Sequence, residues 1–422
     1  MNRFGYKNKK LYCEEVALEE IAMKVGTPFY VYSQGMLQDA FRSFDSSFAG
    51  IPHIVCFAVK SCANIAILKL LGEEGSGADI VSGGELYRAL AAGIEPAKVV
   101  YSGVGKRADE IEFALQADIL MFNAESLEEL EAINACAARL GKKAGIALRI
   151  NPDIDPQTHH HIATGLKESK FGVPIGQAME AYRYAKTLSH LDVIGVSCHI
   201  GSQIVSVTPF VDAAKRLKNL LAQLQGEGFA IRYLDLGGGL GISYRDDETA
   251  PAFAEYAQAI RALVEDLPCT IIFEPGRSLS GQAGALISRV LYRKATEEKN
   301  FIVIDAGMND LIRPAFYDAW HRIVPVSANG ETKILADIVG PICESSDCFA
   351  RGREITEVNQ NDLLAVMSAG AYGFTMASNY NSRPRIPEIL VSRDKFYTIR
   401  QRETYDDLIR GEVIVNLNKE FA

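Results

Sequence analysis

Ile54-Val55-Cys56-Phe57-Ala58-Val59 is an unbroken apolar run, and it ends on Lys60. A short run of this kind, rich in β-branched and aromatic residues, reads as a strand buried on both faces. Counting the run as 53–59, seven more like it follow at 77–82, 99–103, 118–123, 145–150, 192–200, 232–237 and 270–275. The stretches between them carry helical spacing. Leu127, Leu130, Ile133 and Ala137 recur within 125–140, and Val211, Ala214, Leu217, Leu220 and Leu221 within 209–225. Eight strands, each separated from the next by a helical pattern, predict a (β/α)8 TIM-like barrel rather than an open doubly wound sheet. A dinucleotide-binding sheet would carry its glycine fingerprint after the first strand. Here Gly237-Gly238-Gly239 follows the seventh.

Beyond residue 285 the pattern changes. Ile302–Ile304, Lys333–Leu335, Leu363–Val366 and Glu412–Val415 read as strands with few long helical patterns between them, which predicts a mainly β second domain, a sandwich or barrel. The expected division is a barrel over 29–280, with 1–28 and 281–422 forming the mainly β domain.

The chain has 422 residues, 48% hydrophobic and 23% charged, with a formal net charge of −9. The pI is about 5.5. No Lys/Arg-rich run stands out, so nucleic acid is not an expected partner. Met1–Glu20 has no apolar stretch of signal-peptide length, and nothing approaches the roughly 18 apolar residues of a membrane span. The expected compartment is the cytoplasm, with no membrane partner. Eight cysteines include no C-x-x-C pair. They are expected to be reduced, with Cys56, Cys198 and Cys269 as small buried hydrophobes.

Four chemical segments fall at strand C-termini, where barrel active sites gather. Lys60 follows strand one, His199-Ile200-Gly201-Ser202-Gln203 ends strand six, the glycine triplet follows strand seven, and Glu274-Pro275-Gly276-Arg277 ends strand eight. Singly, each has a plainer reading: a solvated lysine, a tight turn, a capping or salt-bridging carboxylate. Together at one rim they are the parts that hold pyridoxal phosphate. A lysine forms the Schiff base, backbone N–H groups take the phosphate, and a carboxylate partners the ring nitrogen. His159-His160-His161 lies in a polar stretch, Asn151–Lys170, with two prolines and no ligand spacing. It reads as a loop over the site, and no metal is expected. Trp320 and His321 are expected to pack or line an interface.

Phe57-Ala58-Val59-Lys60, Cys198–Gln203, Leu236–Gly239 and Glu274–Arg277 resemble the barrel-type (fold-type III) pyridoxal-phosphate decarboxylases of basic amino acids. Leu311–Tyr317, Gly340–Ser345 and Gly370-Ala371-Tyr372-Gly373 narrow the resemblance to the diaminopimelate decarboxylases. It runs from about 28 to 395. Ser61-Cys62 departs from the Ala-Asn that usually follows the family's lysine. The resemblance implies a decarboxylase that converts meso-diaminopimelate to L-lysine and carbon dioxide. Related substrates (carboxynorspermidine, arginine, ornithine) or a non-catalytic cofactor-binding homologue are the alternatives. It implies that Lys60 carries the cofactor and that His199 stacks on its ring. Ser202, Gly237–Gly239, Gly276 and Arg277 would surround the phosphate, beside Tyr372. Glu274 would pair with the ring nitrogen, which keeps it protonated. Cys343 would donate the proton that replaces the lost carboxylate. Arg277, Arg313 and Tyr317 would bind a distal carboxylate and Glu344 a distal ammonium, and arginine's planar fork suits the first of these. The same resemblance implies a homodimer with shared active sites, Cys343 and Glu344 reaching the partner's cofactor.

Overall fold

A computed structural model describes residues 3–155, 170–328, 330 and 332–415. The eight predicted strands are present: β1 (His53–Ala58), β2 (Gly77–Ile80), β3 (Val99–Tyr101), β4 (Met121–Ala124), β5 (Ala144–Asn151), β6 (Leu191–Ser197), β7 (Tyr233–Asp235) and β8 (Thr270–Phe273). Each pairs in parallel with the next, and β8 pairs with β1, so the sheet closes on itself. Closure leaves no exposed edge and makes both strand faces interior, which is why the runs read as continuously apolar. Helices Leu127–Arg139 and Thr208–Gly226 cover the regions of helical spacing. Ser82 and Ser126 cap the N-termini of their helices, accepting from the backbone N–H groups of Glu85 and Glu129.

The outer face of β8 shows how helices seat on the ring. Phe273 packs 4.1 Å from Phe48 and 5.6 Å from Phe44, centroid to centroid, with Tyr256 at 6.3 Å. This cluster ties helices Gln34–Ser47 and Phe253–Val264 to β8. Inside the barrel, Cys56, Val100, Met121, Ala147, Ile194 and Ile272 form a separate apolar layer.

The remainder is mainly β. The long strand β9 (Gly284–Ala295) pairs with β10 (Asn300–Ile304), and β10 with β12 (Lys333–Val339), itself paired to β13 (Cys348–Thr356). At its other end β9 pairs with β14 (Leu363–Val366), which holds β11 (Ile323–Pro325). Two expectations are corrected. The strand Phe29–Ser33, inside the expected barrel bounds though outside its eight strands, pairs with β9 and with β15 (Glu388–Ser392) in the β-domain sheet. Its alternation explains the place. Phe29 and Val31 pack with Ile287, Ile389 and Val391, whereas Tyr30 and Tyr32 join the core shared with the barrel. Glu412–Val415 is not a strand. It finds no sheet edge, and Val413 and Ile414 are exposed. Among the described residues no helix is long and apolar enough to cross a membrane. His159–His161 lie outside the described residues.

Candidate active site

Above the apolar layer the inward face of the barrel turns polar. Two residues beyond Val100, Met121, Ala147, Tyr233 and Ile272 stand Ser102, Asn123, Arg149, Asp235 and Glu274, all buried, and Asp79 joins them from β2. The period of two puts these groups on the same inward face, one pleat nearer the strand C-termini. Ser102, Asn123, Asp235 and Glu274 form one network. The Asn123 amide donates to Asp235 Oδ2 at 2.8 Å, to Ser102 Oγ at 3.0 Å and to Glu274 Oε1 at 3.3 Å. Gly237 N–H donates to Asp235 Oδ1 at 2.9 Å.

Lys60 sits in the single turn Val59–Ser61 that continues β1, and its ammonium pairs with the Asp79 carboxylate. Burial works against its charge, but Asp79 and then Glu274 outweigh burial and raise its pKa. The carboxylates shift upward too, which for them favours the neutral form. Burial, then Asp235 and Asp79, push Glu274 well above the carboxylate range. Burial raises Asp235 to about 6, against the Glu274 hydrogen bond and the Gly237 N–H. Asp79 and Glu274 thus share one lysine, and burial favours a proton held between Glu274 and Asp235.

His199 follows β6. Its Nδ1 accepts from Gly238 N–H at 3.2 Å and lies 3.9 Å from Glu274 Oε2. That second distance is not an ion pair. Burial, then Arg149 and Lys60, lower the imidazole well below its ordinary value, so the ring is neutral.

Two arginines flank one phenol. Arg277 donates from Nη1 to Tyr244 OH at 2.7 Å and from Nη2 to Ser202 Oγ at 3.0 Å, and its guanidinium lies 4.8 Å from the Tyr372 ring centroid. Its Nε is buried without a partner. Arg313, in the short helix Arg313–Tyr317, lies 4.7 Å from the Tyr244 centroid. Burial lowers its pKa, and neighbouring Arg277 adds to the lowering while Tyr244 opposes it. Tyr317 lies near enough to Arg277 to help hold its charge. Tyr372 occupies a left-handed conformation (φ 55°) while its N–H donates to Ser61 O at 2.8 Å, a strained backbone of the sort that clusters at functional sites.

Glycine is obligatory where these loops meet. A Cβ on Gly238 would lie 2.0 Å from Glu274 O, and one on Gly239 2.4 Å from Gly201 O. The triplet therefore lets the ends of β6, β7 and β8 interlock. Within the triplet, the N–H groups of Gly237 and Gly238 are held by Asp235 and His199.

Lys60, His199, Ser202, Gly237–Gly239, Glu274–Arg277, Arg313, Tyr317 and Tyr372 thus gather at one rim. Cys343 and Glu344 do not join them. Cys343 is exposed, its N–H donating to Asn381 Oδ1 at 3.0 Å, and Glu344 accepts from Tyr380 OH at 2.9 Å. The sequence reading missed Asp79, Asn123, Asp235, Tyr244 and the contact between His321 and Arg313. Of the two readings given for His321, packing holds. The residue is wholly buried against Arg313.

Residues 34–281 match the family model for the pyridoxal-binding domain of pyridoxal-dependent decarboxylases. The chain is 50% identical over 415 residues to the diaminopimelate decarboxylase of Pseudomonas aeruginosa, covering 98% of this chain and 100% of that one. It is 49% identical over 404 residues to that of Aquifex aeolicus, covering 96% of each. The crystal structure of Helicobacter pylori diaminopimelate decarboxylase complexed with L-lysine superposes with a TM-score of 0.90 at 44% identity, over 93% of this chain and 98% of that one. A strand-end lysine among carboxylates, a neutral histidine and two arginines on one phenol agree with that kinship: the chain belongs to the pyridoxal-dependent decarboxylases, and within them to the diaminopimelate decarboxylases.

Proposed function

We propose that the rim built on Lys60, Glu274, His199 and the Arg277–Arg313 pair carries out the decarboxylation of meso-2,6-diaminopimelate to L-lysine and carbon dioxide, with pyridoxal phosphate as cofactor. The observation that carries this reading is the convergence of one amine, one buried acid and two guanidinium groups at the same strand ends. Bound pyridoxal phosphate supplies a sink for the electron pair left at Cα when the carboxylate departs as carbon dioxide.

The residues fit that group. Lys60 is the amine that holds it. Asp79 and Glu274 face Lys60 and Asp235 adjoins Glu274, more negative charge than one ammonium balances, and a protonated ring nitrogen against Glu274 would be the second cation such a pocket favours. The neutral His199 ring offers a flat face without adding positive charge. Ser202, Gly239, Gly276, Arg277 and Tyr372 would surround its phosphate. The unpaired Arg277 Nε supports an anion there. Arg313 and Tyr317, with Arg277, hold the distal carboxylate. A substrate with a lone distal ammonium, such as ornithine, gives two buried guanidinium groups nothing to bind, and this disfavours the single-ammonium alternatives.

Loss of carbon dioxide leaves an electron pair at Cα, and the Cys343 thiol donates the proton that completes the new C–H bond. Water then reprotonates the thiolate. Cys343 and Glu344 are exposed and bonded away from the rim, and this supports their delivery by a second copy of the chain. A two-fold dimer then builds two identical composite sites. All eight cysteines are free, in keeping with a reducing cytoplasm. The test is carbon dioxide release from meso-diaminopimelate, ornithine, arginine and carboxynorspermidine, with identification of the product. Preference for any but the first overturns the substrate assignment, and no turnover with any of them overturns the enzyme.

A further inference from the structure

His321 is a wholly buried histidine whose two ring nitrogens are committed to partners of opposite kind. Nδ1 lies 2.8 Å from the Met367 carbonyl oxygen and Nε2 lies 2.9 Å from Arg313 Nη1. A carbonyl can only accept, so Nδ1 carries the hydrogen. A guanidinium can only donate, so Nε2 presents its lone pair. The two partners together fix one neutral tautomer. Met367 O is itself fixed, since Met367 follows β14 and its N–H donates to Arg322 O at 2.8 Å. The imidazole stands edge-on to Tyr244, 5.3 Å between centroids at 77°. Arg353 donates to the His321 carbonyl at 2.9 Å, which ties the same residue to β13. A chain of contacts thus runs from β14 through His321 to the Arg313 guanidinium, and Tyr244 supports that guanidinium from its ring face.

Arg313 needs such a device. Its guanidinium shares Tyr244 with Arg277, and two like charges in one buried pocket repel. Left to itself, a long side chain would swing away from its neighbour. We propose that His321 is the positioning residue for Arg313: by accepting from Nη1 it sets the plane of the guanidinium over Tyr244 and points the remaining N–H groups at the distal carboxylate of the substrate. This rests on the reading of Arg313 as a ligand of that carboxylate. An imidazole does the task where a carboxylate would not, because a carboxylate would satisfy the guanidinium charge and compete with the ligand. Burial, then Arg313, hold the His321 pKa down to about 3, so the acceptor persists through the neutral range.

The experiment compares two competitive inhibitors of the holoenzyme, L-lysine with its carboxylate and cadaverine without one. His321→Leu removes the acceptor and is expected to raise the KM for meso-diaminopimelate and the inhibition constant of L-lysine about tenfold or more. The cadaverine constant and the absorbance of the bound cofactor should stay unchanged, and kcat should change by less than about threefold. His321→Gln, which can place an acceptor at the Nε2 position, is expected to recover most of the loss. A merely structural role would weaken both inhibitors alike and would not be rescued by an acceptor. If the leucine variant does not fold, His321→Asn keeps a donor for Met367 without the acceptor and must give the same selective loss. Arg313→Ala separates the two levels of inference. If it leaves the L-lysine to cadaverine ratio unmoved, the ligand reading of Arg313 fails. If it moves the ratio and the histidine variants do not, the positioning role of His321 is overturned.

Discussion

Replacing Asp235 with asparagine should make the cofactor-free protein more stable at alkaline pH and flatten its pH dependence. Asp235 is fully buried, faces Glu274, and is raised by burial to about 6 from 3.8. A carboxyl raised on folding favours the protonated native state. Its stabilising effect is complete below the unfolded value, near 3.8, and is lost as pH rises through about 6. A gap of about 2 pH units at ~1.36 kcal/mol each comes to about 3 kcal/mol of stability surrendered between pH 4 and pH 7. Asparagine has no charge to bury, so the variant should not surrender it. The local hydrogen bonds adapt. Gly237 N–H can still donate to a side-chain oxygen at 235, and the buried Asn123 Oδ1, which has no partner, can accept from the new amide if the Asn123 side chain flips.

Urea titrations at fixed protein concentration, at pH 5 and pH 8, measure the effect. The apparent stability of Asp235→Asn relative to the parent should rise between pH 5 and pH 8 by about 1 kcal/mol, because roughly half of the total is already lost below pH 5. An unchanged difference between the two pH values would refute the buried acid pair. With cofactor bound the advantage should shrink, since a ring nitrogen cation against Glu274 draws its value from the same negative charge.

Lys60→Ala should abolish borohydride-trappable attachment of pyridoxal phosphate, and retention of a reducible linkage with full turnover would remove Lys60 from its role. Arg313→Ala should lower kcat/KM for meso-diaminopimelate by roughly 10- to 150-fold, the worth of a charge-assisted contact, while cofactor absorbance stays in place. Phe273→Ala empties the ring cluster on the outer face of β8 and should cost about 3–5 kcal/mol, read by denaturant midpoint, with kcat of the folded enzyme unaltered. Mixing Lys60→Ala with Cys343→Ala under subunit exchange should restore activity, since a mixed two-fold dimer holds one intact site. Exchange confirmed by mass without recovered activity would place both residues in one chain's site.

The barrel was legible because a closed parallel sheet makes a simple demand on sequence: each strand must be apolar on both faces, and eight such runs were plain. The same demand hid the polar ring. Asp79 sits within Gly77-Ala78-Asp79-Ile80 and Asn123 within Met121-Phe122-Asn123-Ala124, and a carboxylate or amide in a run otherwise fit for burial must find a partner. That interruption was the available signal. It could not name the partner, because Asn123 meets Glu274 across 151 positions only when the ring closes. The barrel boundary at 29 fell too early for a related reason, since a strand apolar on both faces, such as Phe29–Ser33, suits a barrel wall and a sheet centre equally. Arg313 and His321 are only eight positions apart, yet their contact depends on the carbonyl of Met367 orienting the imidazole, and no local pattern records that. Cys343 and Glu344 present the opposite case. Both are exposed, bonded to Asn381 and Tyr380 rather than to the rim. An acid needed at Cα but carried on an outward loop can reach the chemistry by moving or by meeting another subunit. The loop is held on its own side of the domain: Asp347 accepts from the backbone N–H groups of Met308 and Ile342 at 2.7 Å each. Delivery to a neighbouring copy uses the loop as it stands, whereas reaching its own barrel would break those bonds, and this asymmetry is the physical reason to expect shared sites.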